Sequence, residues 1–223
     1  MVESSFDLLR RLKELGFLKE ERDPFWWPNS GTFEVVVGAI LTQNTKWQKV
    51  QKALLNLKNY LGEIKLEKIA DIDQKNLATL IKPAGFYNTK AKRLKTLSLN
   101  ILNEFGSFET FKENVDREWL LSQKGVGKET ADSILNYACY KDVMVADSYT
   151  AKILSLIGYE FSEYDDIASF LKDGIEQNLD LVYKLYNKKL PLSQICARFH
   201  GKIVDFSKEN LKNKETAKKL LAI

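Results

Sequence analysis

One histidine, two cysteines and four prolines in 223 residues leave several chemistries without their raw material. A single histidine, His200, excludes a multi-histidine metal site and argues against a Ser/His/Asp triad. Its expected place is packed in the interior or on the surface rather than in catalysis. Cys139 and Cys196 are far apart in sequence and lie in apolar helical stretches. They read as small core residues of a reducing compartment, not as a disulfide framework. No apolar run approaches membrane-spanning length, and the opening MVESSFDLLRRLKELGF lacks the apolar core of a signal peptide, so a cytoplasmic protein is expected. Neither sign of charge dominates. Thirty-four Lys and Arg against 30 Asp and Glu give a net charge of +4, which permits a nucleic-acid partner without demanding one. Repeats, low-complexity tracts and alternating strand patterns are missing too.

What remains is helical periodicity, so the expected fold class is all-α. A hydrophobic content of 44% is enough for a globular core. Phe6, Leu8, Leu9, Leu12 and Leu15 recur at helical spacing until Gly16 stops them. Asp23 to Gly31, DPFWWPNSG, is a loop pinned by two prolines. Phe33 to Gln43 is a nearly all-apolar helix, expected to be buried on most sides. Lys46 to Tyr60 is amphipathic, Asp73 caps a helix ending near Pro83, and a long helix runs from about Asn88 to Phe105. Pro191 opens a last long helix. The tail KENLKNKETAKKLLAI is expected to be a weakly anchored helix or a frayed end.

The most informative stretch runs from Leu120 to Lys152. A short helix capped by Asp116 ends at Gln123, Gly125-Val126-Gly127 reverses the chain, and a second helix starts near Glu129. Such a hairpin exposes consecutive backbone N–H groups at a helix N-terminus, which suits a phosphate oxygen. About twenty residues on, after an apolar strand-like run, stands Asp147.

This layout resembles the helix-hairpin-helix and Gly/Pro…Asp region of the endonuclease III superfamily of DNA glycosylases. Two further segments carry the likeness: FEVVVGAILTQNT, residues 33 to 45, and the Pro83-Ala84-Gly85-Phe86-Tyr87 turn with Lys90-Ala91. The resemblance implies two helical domains flanking a DNA-binding cleft. Residues 31–140 would form a six-helix domain carrying the hairpin, and 1–30 with 141–223 a second helical domain built from both chain ends. The aspartate at the cleft mouth would be catalytic. Members that also cut the backbone carry a lysine where this chain has Glu129, so hydrolysis of the glycosidic bond without lyase activity is expected. No cysteine follows Cys196, so the four-cysteine iron–sulfur cluster of many members is not expected. No cofactor is required by this reading, although the hairpin carbonyls could hold a monovalent cation against a phosphate.

The Trp26-Trp27-Pro28-Asn29 loop, the Gln43-Asn44-Thr45-Lys46-Trp47 turn and the RFHGKIVDF stretch together look like the bacterial 3-methyladenine DNA glycosylases of the endonuclease III type. That implies a monomer acting on double-stranded DNA containing alkylated purines, with the damaged base flipped out. Contact with DNA falls to Asn44 and Lys46, one of which would plug the gap, and to Gly125, Val126, Gly127, Lys128 and Thr130. A base pocket falls to Trp26, Trp27, Trp47, Glu129, Lys202 and Lys208. A glycosylase for another damaged or mismatched base, or a DNA-binding module without activity, would share parts of this pattern.

Each residue also has a plainer role. Asp147 can simply cap the helix from Ser148 to Ile157, and the two roles are compatible. A fixed carboxylate can stabilise positive charge on the sugar and orient water. The tryptophans can be core, although adjacent Trp26 and Trp27 cannot both point one way on a regular element. An electron-rich wall suits a cationic purine such as 3-methyladenine. Lys202 shares an apolar row with Ile195, Phe199 and Phe206, either snorkelling or reaching the cleft, and Lys208 is a weaker version of it. The Lys90, Lys92, Arg93 and Lys95 cluster is a solvated helix face or a phosphate contact.

Overall fold

A computed structural model describes residues 2–18 and 23–221, and these are helical with no strand among them. The chain divides into two compact units, Asn29–Tyr140 and Met1–Pro28 with Lys141–Ile223. The second of these opens with α1 (Ser5–Glu14), whose N-cap Ser4 accepts from Asp7 N at 3.1 Å. Its buried stripe is Phe6, Leu8, Leu9 and Leu12, and Gly16 ends it in a left-handed turn with φ 79°.

The Asn29–Tyr140 unit holds α2 (Phe33–Thr42), α3 (Trp47–Leu61), α4 (Leu66–Asp71), α5 (Gln74–Leu80), α6 (Tyr87–Phe105), α7 (Phe108–Asn114), α8 (Arg117–Ser122) and α9 (Lys128–Ser133). A 3-10 turn, Lys82–Ala84, precedes α6, and α9 continues into a π-helical turn, Ile134–Ala138. Val35 to Leu41 of α2 are all buried, as an apolar run without a polar face requires. Eight helices stand where six were expected. Short α4 and α7, which pack on α6, have too few turns to announce themselves by periodicity.

The chain returns to the unit that holds α1 as α10 (Ser148–Leu156), α11 (Tyr164–Glu176), α12 (Leu179–Tyr186), α13 (Leu192–Asn210) and α14 (Lys214–Leu221). Leu8, Leu9, Leu12, Ile153, Leu171, Ile195, Phe199 and Phe206 form its core, with α13 packed on α1 and α10. The expectation of a frayed tail is corrected. Ala217 and Leu221 are buried, and Arg11 Nε donates to Leu220 O at 2.7 Å, so α14 is anchored at its apolar face. The apolar run before Asp147 has no sheet partner, and Met144, Val145 and Ala146 are simply buried, extended chain. Both cysteines are buried, and burial pushes the Cys196 thiol up to about 12, which makes it unreactive. No helix among the described residues is long and apolar enough to cross a membrane.

Candidate active site and nucleic-acid interface

Asp147 is the N-cap of α10. Its Oδ1 accepts from Tyr149 N and Thr150 N at 2.9 Å each and from Thr150 Oγ1 at 3.1 Å. Its Oδ2 faces His200 Nε2 of α13 at 3.5 Å. Burial works to raise this carboxyl, but the His200 imidazole and the Thr150 donors outweigh it and hold it below the usual carboxylate range. The cap and an ionised carboxylate are therefore compatible: Oδ1 caps the helix and Oδ2 faces His200. His200, expected to be a packed or surface residue, is buried at 4% exposure, yet it is packed against this carboxylate. The sequence signal was faint. A lone histidine carries no spacing pattern, and its distance from Asp147 in sequence hides the contact.

The loop before Asn29 is built by turn chemistry. Asp23 Oδ1 accepts from Phe25 N at 2.9 Å, and Asp23 O accepts from Trp26 N at 2.7 Å. Trp26 sits at φ 66°, a left-handed conformation that a bulky residue adopts only where its surroundings impose it. The imposing contact is α13. The Trp26 indole lies edge-on to the His200 ring, 5.4 Å between centroids, and its ring occupies the space where a side chain on Gly201 would be. Gln194 Nε2 donates to Pro24 O at 3.3 Å, tying the loop to the same helix. The paired tryptophans diverge as their adjacency requires: Trp27 is buried, Trp26 half-buried.

In the other unit, the helix-hairpin-helix is α8, the Gln123–Gly127 turn and α9. Arg117 grips Asp132 with two bonds, 2.7 and 3.0 Å, and so braces α8 to α9 around a carboxylate only 3% exposed. Gly125 has φ 86°, and a Cβ there would collide with the Arg93 guanidinium. Gly127 has φ −97°, and a Cβ there would meet open space. The conformational need for glycine thus lies at Gly125, not at Gly127. Val126 is buried in the turn, Gly127 and Glu129 are exposed, Lys128 is half-buried and Thr130 is buried.

The turn between α2 and α3 is fastened to this hairpin. Gln43 Nε2 donates to Gly125 O at 2.9 Å and to Thr130 Oγ1 at 3.1 Å, while Arg93 Nη1 donates to Gln43 Oε1 at 2.9 Å. Thr130 is thereby an internal partner of Gln43. Asn44, exposed and left-handed at φ 52°, forms the tip, and Lys46 beside it is exposed. Trp47 is half-buried at the start of α3.

The α6 cations correct the expectation of a solvated or phosphate-binding face. Lys90 is 2% exposed, and its ammonium donates to Leu41 O (2.8 Å), Gln43 O (2.9 Å), Thr45 Oγ1 (2.8 Å) and Ala84 O (3.0 Å). Burial, helped by Arg93, pushes its amine down to about 8. Lys95 donates to Ala70 O and Ile72 O. Both share the inward stripe of α6, and of the cluster Lys92 is the exposed member. Beyond Ala84, Phe86 is left-handed at φ 45° and 73% exposed, an aromatic tip that the sequence reading did not single out.

Lys202, a base-pocket candidate from the sequence, lies on the buried face of α13. It is 1% exposed, and its ammonium donates to Phe17 O, with the Tyr186 ring 6.0 Å away. A cation in that position ties α13 to the end of α1. Lys208 is exposed in the last turn of α13.

Comparison with known proteins follows this geometry. Residues 37–200 match the HhH-GPD superfamily of base excision DNA repair proteins. A crystal structure of H. pylori 3-methyladenine DNA glycosylase (MagIII) bound to 1,N6-ethenoadenine superposes with a TM-score of 0.89 at 50% identity, covering 92% of this chain and 98% of that one. A Methanocaldococcus jannaschii protein, named among the DNA repair glycosylases, is 40% identical over 196 residues, 84% of this chain and 87% of its own length. A thermostable thymine-DNA glycosylase shares the fold, with a TM-score of 0.62 at 19% identity over 96% of this chain and 89% of its own. The chain belongs to the HhH-GPD superfamily and is a DNA glycosylase of the base excision repair class.

Proposed function

We propose that this glycosylase excises alkylated purines from double-stranded DNA, above all 3-methyladenine, by base flipping and hydrolysis. The observation that carries the reading is the mounting of a carboxylate and an indole on one turn of α13: Asp147 Oδ2 faces His200, and the Trp26 ring covers Gly201. A cationic purine stacks well on an electron-rich ring, and it is already a good leaving group. The enzyme then has little need of a general acid. It needs a fixed negative charge for the oxocarbenium-like sugar and a water molecule to finish the reaction. The H. pylori neighbour, a 3-methyladenine glycosylase at 50% identity, supports the same lesion class.

In this reading residues 1–30 with 141–223 supply the charge and the aromatic wall, with Trp27 as core behind Trp26. Residues 31–140 supply the hold on the backbone. Gly125, Val126, Gly127 and Lys128 present the hairpin to a phosphate, and Asn44 at its exposed tip is preferred over Lys46 as the plug. Trp47 and Lys208 stay as additional pocket contacts. The Gly125 carbonyl accepts from Gln43 and keeps a second lone pair, so a monovalent cation fits there. Glu129 in place of a lysine supports hydrolysis without strand cleavage. The test is incubation with methylated DNA and identification of the bases released. Free 3-methyladenine with no borohydride-trapped adduct is expected. Release of a mismatched base in its place, or a trapped adduct on a lysine of the hairpin, overturns the reading.

A further inference from the structure

We propose that His200 is a positioning residue of the excision reaction: its buried imidazole fixes the second carboxylate oxygen of Asp147 on the same turn of α13 that the Trp26 ring packs against. The inference rests on the reading of Asp147 as the charge that stabilises the sugar cation. It starts from an asymmetry in the carboxylate. Oδ1 has three donors from its own helix, so the cap is complete without Oδ2. Oδ2 is left for a partner outside α10, and the group that faces it is His200 Nε2 at 3.5 Å. The imidazole therefore bears on the one oxygen that the cap does not use.

The imidazole also meets the Trp26 indole in a T-shaped contact, 5.4 Å between centroids at 83°, and the neighbouring Gly201 leaves room for that indole against α13. His200 is thus held between the aromatic wall and the charge, on a rigid helix. Around Asp147 the groups are His200 from α13, Tyr149 N and Thr150 from α10 itself, and, one residue before it, the Tyr164 hydroxyl of α11 near Ala146 N at 3.3 Å. Among those that lower the carboxyl, His200 stands first, against a burial that raises it. Without His200, Asp147 takes up a proton more readily, and a protonated aspartic acid cannot stabilise a cation.

The experiment compares wild type, His200→Gln and Asp147→Asn in single-turnover release of base from methylated DNA across acid to neutral pH. Duplex affinity is read by anisotropy and folding by circular dichroism. For His200→Gln the acid limb of the rate should move to higher pH. Duplex affinity should stay within about twofold, because phosphate contacts are untouched. A limb that does not move, with Asp147→Asn inactive, overturns the role of His200 and leaves that of Asp147 standing. Full activity of Asp147→Asn overturns the reading beneath it. Should His200→Gln fail to fold, the chain's single histidine gives unique imidazole resonances. These should move in Asp147→Asn, which keeps its cap, and unmoved resonances refute the contact.

Discussion

The hairpin half and the aspartate half fix their candidate groups by opposite means. Around the hairpin, long cationic or amide side chains reach inward and gather backbone carbonyls: Lys90 takes those of Leu41, Gln43 and Ala84, and Gln43 takes that of Gly125. The loops are gripped from within, and their tips, Asn44, Phe86 and Gly127, are left exposed. Around the aspartate, a short side chain is fixed by a helix N-terminus and faced by one imidazole. In the proposed function the first arrangement would present shape and N–H groups to a backbone that is the same at every nucleotide. The second fixes the state of one charge. Damage to the first should therefore appear as lost affinity or stability, and damage to the second as lost rate.

The largest expected effect breaks the aspartate half. Asp147→Asn should lower excision by on the order of a hundredfold or more, about 3 kcal/mol of transition-state stabilisation. Duplex affinity should hold, because the amide oxygen still caps α10. The wild-type carboxyl is held below its ordinary value. Its contribution to stability is therefore present above the unfolded aspartate value, about 4, and is lost as pH falls through the folded one. Acid unfolding curves should show that loss in wild type and less of it in Asp147→Asn. Wild-type excision by the variant defeats the assignment.

The matching blow to the hairpin half is Lys90→Met, which keeps the bulk and removes the ammonium. The Leu41 carbonyl loses a buried donor while those of Gln43 and Ala84 keep only Thr45 Oγ1, at about 1–3 kcal/mol for a group left unsatisfied, so a loss of about that size is expected in denaturant titration. DNA affinity should fall with it. The pH dependence has a definite sign. A lysine lowered to about 8 in the fold binds fewer protons than the unfolded chain above that pH. Wild type should gain stability relative to the variant between about 8 and the ordinary lysine value, about 10.4. A variant of wild-type stability and affinity would mean that Lys90 does not hold the turns.

Trp26→Ala sharpens the comparison within one loop. Stacking on a base is worth roughly 1–3 kcal/mol, so excision of 3-methyladenine should drop about ten- to a hundredfold at unchanged duplex affinity. Trp27→Ala, made at the buried partner, should lower the melting temperature instead. Full-rate excision by a folded Trp26→Ala protein removes the indole from the pocket.

How far the sequence reached follows the same division. The helices with long apolar stripes, α2, α6 and α13, were legible because burial writes itself at helical spacing. The caps Asp116 and Asp147 were legible because capping is a local event. The Lys90 grip was not, since a lysine at a helix start reads as solvated unless its acceptors, which come from another turn, are known. Lys202 stands on a legible apolar row, but the row cannot say that the Phe17 carbonyl waits at its end. His200 and Asp147 meet through tertiary packing of α10 on α13, which no local pattern encodes.

The smallest effects come from the two hairpin glycines, and they separate shape from contact inside the hairpin half itself. Gly125→Ala forces a left-handed residue, worth about 1–2 kcal/mol, and drives a methyl into Arg93, the donor that holds Gln43. Its stability should fall by at least that amount, and the α2–α3 turn should loosen, with affinity following. Gly127 has an ordinary φ of −97° and open space where the methyl would go. Gly127→Ala should therefore cost only the N-cap preference for glycine over alanine, about 1 kcal/mol or less. Its methyl would nonetheless stand where a phosphate must approach the α9 N-terminus, so duplex affinity should fall several-fold without any change in which base is released. Melting curves and anisotropy on the pair decide the matter. Stability lost at Gly127 and kept at Gly125 would reverse the assignment of shape, and affinity unchanged in Gly127→Ala would move the phosphate away from this turn.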